Sequence, residues 1–186
     1  MLHVLHDLGV WTFSSDPYKL QLNLDAGGLN LDLTNLSISF DMSIEANVED
    51  FHTIASTLDV VIDETFILDP SRYTWNNFTI LANITDLSGF PFLANKRLWR
   101  YDKRIGINNA LDWFEGALAQ PQIVLRDLIE VLHPPSIDKH GYNIMYFRNI
   151  ASGESFVNTT TTGCPWANMT SALEPTTIPC TSQSTF

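Results

Sequence analysis

At 186 residues, 45% hydrophobic and 17% charged, the chain has the composition of one folded domain and lies outside that of disordered segments. Ten Lys and Arg against 21 Asp and Glu give a formal net charge of −11, which excludes a protein that grips nucleic-acid phosphates and suits a neutral or cationic partner, or plain solubility. No run approaches the roughly 18 apolar residues that span a bilayer, and the N-terminus lacks the basic start and apolar stretch of a secretory signal.

Met1 to Phe13 is apolar around Gly9, with Val4, Leu5, Val10, Trp11 and Phe13 suited to a buried strand and its exit. From Tyr18 to Val48 apolar residues alternate: Leu20, Leu22 and Leu24, then Leu29, Leu31 and Leu33, then Leu36, Ile38, Phe40, Met42 and Ile44. A period of two predicts strands, with Gly27-Gly28 as a turn. Val48, Phe51, Ile54, Ala55 and Leu58 change to helical spacing, predicting a helix over Asn47 to Leu58 with Asn47 as N-cap. The wholly apolar Val60 to Ile62 predicts a parallel strand covered on both faces, with Asp63-Glu64 at its carboxyl end.

Asp69-Pro70-Ser71 signals a turn, after which Tyr73 to Asn83 forms a short helix carrying Trp75, Phe78, Ile80 and Leu81. A short strand is expected over Arg97 to Tyr101. Helical spacing resumes near Asn108, with Leu111, Phe114, Ala117 and Leu118 on one face. Pro121 removes a backbone donor, so a break is expected near Ala119 and a second helix with Pro121 in its first turn. Its core stripe is Val124, Leu125, Leu128, Ile129 and Leu132, ending at His133-Pro134-Pro135.

Alternating strands and helices predict an α/β fold: a single three-layer lobe over residues 1–151, with a small, mostly parallel sheet flanked by helices. Residues 152–186 are rich in Thr, Ser and Pro and read as an irregular tail. There Cys164 and Cys180 suit a local disulfide in an oxidising compartment, although a reduced pair is also compatible. Acceptor patterns for N-glycosylation stand at Asn35, Asn77, Asn83, Asn158 and Asn168, a modest excess over chance. Both features point to an extracellular or cell-surface location. No nucleophile elbow, phosphate loop or His-Glu-x-x-His motif occurs, and the histidines show no metal-ligand spacing, so no catalytic residue, metal or cofactor is expected.

Four segments occur in a telling order: Asp59-Val-Val-Ile-Asp-Glu64; Tyr73-Thr-Trp75; FPFLANKRLWRYDKR from Phe90 to Arg104; and DWFEGALAQPQIVLRDLIEVLHP from Asp112 to Pro134. Over roughly residues 10–150 this order resembles the C-terminal lobe of helical-backbone, class III periplasmic substrate-binding proteins of ABC transporters. These deliver siderophores, haem, vitamin B12 or metal ions, and Asp112 to Glu115 resembles the vitamin B12 and iron-siderophore members. Pro17-Tyr18-Lys19 and Asp25-Ala26-Gly27-Gly28 resemble the start of that lobe, implying a helix over 17–25 against the alternating leucines, with Gly27 just past its end.

The resemblance implies a solute-binding lobe capturing an iron complex or corrinoid, with the ligand held between two lobes at the carboxyl ends of the strands. One lobe is all this length allows, so a missing N-terminal lobe, or a membrane transporter or receptor, is an expected partner. Trp113 either faces the ligand or caps the core. Glu115 either docks on a transporter or is a solvated helical carboxylate. Arg100 either clamps an anionic ligand or pairs with Asp102 at the surface; Tyr101, Glu64, Tyr73 and Trp75 complete the candidate ligand-binding set. The competing expectation is a structural or adhesive secreted glycoprotein domain that reuses the fold.

Overall fold

The computed structural model describes residues 1–106, 109–133 and 142–159. The apolar N-terminus forms two strands, β1 (Leu2–Asp7) and β2 (Val10–Phe13), paired antiparallel from Val4↔Phe13 to Asp7↔Val10. Leu8 and Gly9 close the hairpin with φ of 46° and 86°, the double left-handed bend of a tight hairpin turn. Strand β4 (Val61–Asp63) pairs parallel with β1, and β5 (Leu98–Arg100) parallel with β4. The antiparallel edges are β3 (Ser39–Asp41) on β2 and β7 (Arg148–Asn149) on β5.

The sheet order is β3-β2-β1-β4-β5-β7. Because β3 is antiparallel to β2, which is antiparallel to β1, strands β1, β3, β4 and β5 share one direction. A separate pair, β6 (Arg104–Ile105) and β8 (Val157–Asn158), runs parallel. The fold is therefore the three-layer α/β lobe that the alternating elements predict.

Helices α2 (Glu45–Ala55), α3 (Trp75–Leu81) and α4 (Pro91–Ala94) cover one face over a core rich in aromatic rings. Phe51 lies within 5.7 Å of the Trp11 and Phe13 rings and 5.8 Å of Phe40. Helices α1 (Pro17–Asp25) and α5 (Pro121–Leu132), with a π-helical turn at Trp113–Ala117, cover the other face. Val61 belongs to the first core, Val60 and Ile62 to the second, which is why that strand carries no polar side chain before Asp63.

The helix that the resemblance implies over 17–25 is observed, against the strand suggested by the alternating leucines, and two other expectations are corrected. The alternating leucines at 20–24 lie on α1, where Asp16 accepts from the Tyr18 amide and Pro17 occupies the first position. On a helix Leu20, Leu22 and Leu24 diverge, and Leu22 is buried while Leu24 is half-exposed. Of the leucine-rich 29–44 stretch only Ser39–Asp41 is strand; Leu31 and Leu33 pack on the first core from a loop. Asn47 does not cap α2, which begins at Glu45 behind a turn closed by Ser43 donating to Asp41 Oδ1.

Helix α5 starts at Pro121 as expected, but its buried side is Val124, Asp127, Leu128 and Val131, and Ile129 faces solvent. Gly28 lets α1 approach α5: a Cβ there would meet Leu132 Cδ1 at 2.7 Å and the Asn23 carbonyl at 3.0 Å. The chain stays hydrogen-bonded to the fold past residue 152, Val157 N donating to Lys103 O and Thr159 N to Ile105 O. Cys164, Asn168 and Cys180 lie outside the described residues. Among the described residues no helix is long and apolar enough to cross a membrane.

Candidate functional site

The carboxyl ends of β4 and β5 carry five of the polar and aromatic residues that the sequence singles out: Asp63, Glu64, Arg100, Tyr101 and Asp102. Most are turned inward. Arg100 is 1% exposed; its Nη1 donates to Asp63 Oδ2 (2.8 Å), Nε to Asp102 Oδ2 (2.7 Å) and Nη2 to the Thr65 carbonyl (2.7 Å). Arg148 donates to both oxygens of Asp102 at 2.7 and 2.8 Å. Two guanidinium groups and two carboxylates thus form a buried, charge-balanced lattice joining β4, β5 and β7. Arg100 is neither an open clamp nor a surface ion pair, because its donors are committed before any ligand arrives.

Tyr73 is also displaced from the expected ligand wall. It is buried beneath the Arg100 guanidinium, 4.2 Å from ring centroid to Cζ. Burial, helped by the Asp63 charge, pushes its hydroxyl far above the usual tyrosine range.

Glu64 is buried as well, with Oε1 on His3 Nδ1 (2.6 Å) and Oε2 accepting from Lys19 Nζ. It fastens β1 and α1 to the end of β4 and offers nothing to a ligand. Burial alone would raise this carboxyl, but the hydrogen bonds and charges of His3 and Lys19 outweigh it and hold the pKa below the ordinary 4.5. A depressed folded pKa contributes stability that is fully present above 4.5 and is lost as pH falls through the folded value. Urea midpoints measured from neutral pH down to about pH 3 should therefore fall steeply on the acid side, and less steeply in Glu64→Gln. Parallel pH profiles for the two proteins would contradict this assignment.

On the α1/α5 side Tyr101 is buried in the second core beneath Trp113, and of the two only Trp113 is partly open to solvent. The Tyr101 hydroxyl donates to the Glu64 carbonyl (2.8 Å), and its ring stacks on Trp113 at 5.3 Å and 23°. Trp113 meets Phe147 edge-on at 5.3 Å, so the indole is half core and half surface. Its exposed side lines a recess of about 210 Å³ with Tyr18, Lys19, Phe114 and Leu118. Gly116 allows the π-helical turn to close here, since a Cβ would sit 2.5 Å from Asp112 Oδ1 and 3.0 Å from the Tyr146 hydroxyl.

Phe66, Leu68, Phe114 and Leu118 leave this edge between 57% and 83% exposed. Phe66 and Leu68 follow the end of β4, and the Asn109 side chain reaches the Leu68 carbonyl from the approach to Trp113 (3.4 Å). Periodicity does not mark these four as a surface set; the signal for two of them is the apolar Phe66-Ile67-Leu68 run between a strand end and a turn. Glu115 lies exposed on the same turn as Trp113. Trp75, 38% exposed, does not join Trp113: it lines a separate cavity of about 370 Å³ with Tyr73 and Arg148.

Asn35, Asn77, Asn83 and Asn158 are all exposed. Asn77 uses Oδ1 to cap Thr74, leaving its amide nitrogen outward. Among the described residues no group of three or more His, Cys, Asp and Glu is placed to hold a metal ion. Compared with protein-family models, with curated proteins and with solved structures, the chain finds no match in any of the three.

Proposed function

We propose that this chain is one wall of a small-molecule cleft: a solute-binding lobe, of the type its sequence resembles, that captures a flat, largely apolar ligand such as an iron-siderophore, haem or a corrinoid. The observation that carries this is the Trp113 recess at the carboxyl end of the sheet, backed by the rigid Tyr101 stack and bordered by exposed Phe114 and Leu118. Ligands of open α/β sheets bind outside the carboxyl ends of the strands, and an indole fixed by a second ring stacks a planar ligand without losing rotamer freedom.

At about 210 Å³ the recess is smaller than the roughly 300–1,000 Å³ of complete ligand sites, which fits half of a site. The other half is a first lobe or a second chain, and Glu115, exposed on the same turn as Trp113, would be the contact with a membrane transporter or receptor. The acceptor asparagines and the tail cysteines support an extracellular or surface setting.

Tryptophan fluorescence titrated with a ferric siderophore, haemin and cyanocobalamin tests this. At least one should quench saturably at micromolar concentration, and Trp113→Ala should weaken that ligand about tenfold or more, or roughly 1.4 kcal/mol. Leu118→Asp, at an exposed position with no part in the core, should weaken it without moving the unfolding transition. Absence of quenching by all three ligands sinks the proposal. It would favour a structural or adhesive glycoprotein domain, for which the four exposed acceptor asparagines are the supporting observation.

A further inference from the structure

The larger cavity, of about 370 Å³, lies beside edge strand β7, away from the Trp113 recess, and lies within the volume range of small-ligand sites. Its chemistry differs. Two charged side chains line it, and the protein itself compensates both. Arg148 is buried and its Nε and Nη2 are spent on Asp102 and on the carbonyls of Pro70 and Tyr73. Glu154 pairs with Lys103 through Oε1, and its Oε2 accepts from the Asn149 amide. A charged ligand would therefore find no uncompensated partner and would lose its hydration on entry.

Donors and acceptors are nevertheless on offer. The third nitrogen of Arg148, Nη1, has no hydrogen-bond partner among the described residues and is not fully buried. Ser71 and Thr74 spend their hydroxyl protons on Asp69 Oδ1 and Asn77 Oδ1, so each keeps oxygen lone pairs free to accept. Ser155 is exposed and adds a hydroxyl that can rotate to either role. Trp75 supplies a partly exposed flat apolar surface.

A guanidinium donor, a hydroxyl able to donate or accept, further acceptors, no free charge and an indole make a lining matched by a neutral molecule whose hydroxyls both donate and accept and whose ring has an apolar C–H face. We propose that this cavity is a second binding site, for a neutral mono- or disaccharide, independent of the Trp113 recess.

Calorimetric titration with glucose, mannose, N-acetylglucosamine, maltose and chitobiose, with citrate as an anionic control, tests this on the whole chain. At least one sugar should bind saturably in the micromolar-to-millimolar range while citrate does not. Trp75→Ala should weaken that sugar tenfold or more. Ser155→Trp, which fills the mouth from an exposed position, should do the same should Trp75→Ala prove unstable. Trp113→Ala should leave sugar binding unchanged, which separates this site from the first. Three outcomes overturn the proposal: no sugar binds; a sugar binds equally to native protein and Ser155→Trp; or citrate binds and the sugars do not, making Arg148 an anion site.

Discussion

Replacing Arg100 by Met is expected to cost about 3–5 kcal/mol, a large part of the roughly 5–15 kcal/mol that holds a domain together. The loss arises less from the bonds removed than from what remains. Asp63 and Asp102 would sit fully buried around Arg148 alone, two carboxylates against one guanidinium, with the Thr65 carbonyl unpaired. Lysine should rescue little, since a single ammonium cannot serve Asp63, Asp102 and the Thr65 carbonyl in three directions. Urea unfolding followed by circular dichroism measures the loss, and a midpoint within experimental error of the native protein would remove the lattice from the list of stabilising features. Any Arg100→Met protein that remains folded should also keep its affinity in the Trp113 titration, because Arg100 does not reach that recess.

Asp127→Ala is expected to cost about 3 kcal/mol and to weaken ligand binding at Trp113 as well. This fully buried carboxylate on α5 accepts from the Tyr142 hydroxyl and from the Met145 and Tyr146 amides. It pins the segment that puts Tyr146 and Phe147 against Trp113. Burial raises the Asp127 carboxyl above the ordinary range, with the hydrogen bonds pulling against it. A raised folded pKa means this residue contributes less stability as pH rises from 3.8 through the folded value. That trend is opposite to the one at Glu64. Asp127→Asn should recover part of the loss, since one oxygen still accepts while the new amide opposes an N–H. Unchanged affinity in a destabilised Asp127→Ala would show that the Trp113 floor does not depend on this tether.

The parts of the fold legible in the sequence are those set by one face of burial. Val60 to Ile62, apolar without interruption, is the central parallel strand β4, and Pro121 marks the first residue of α5. The leucines at 20–24 alternate in sequence but scatter around α1, because Asp16 and Pro17 commit the backbone to helix before side-chain period matters. Charged residues were the least legible. Nothing local distinguishes Arg100 buried between two aspartates from Arg100 at a rim, or Asp127 under a loop from a solvated helical carboxylate between Arg126 and Leu128. The distant partners that decide the matter, Asp63 for Arg100 and Tyr142 for Asp127, stand 37 and 15 residues away. Trp113 and Trp75 were both visible as aromatic candidates, yet only the three-dimensional arrangement assigns them to two cavities of different chemistry.

Strand β7 is two residues long and sits at the sheet edge, a position that ordinarily opens and closes many times before the rest of a domain unfolds. Arg148 changes that behaviour. To peel away, β7 must withdraw one of the two cations from a buried set of four charges, leaving Asp63, Asp102 and Arg100 with a net charge of −1 (two negative, one positive) in an apolar interior. The edge is thereby coupled to the centre, and the amides of β7 are expected to exchange with the global unfolding of the domain and not by local fraying. The Arg148 side of the cavity beside β7 is thereby expected to hold its place until the domain unfolds.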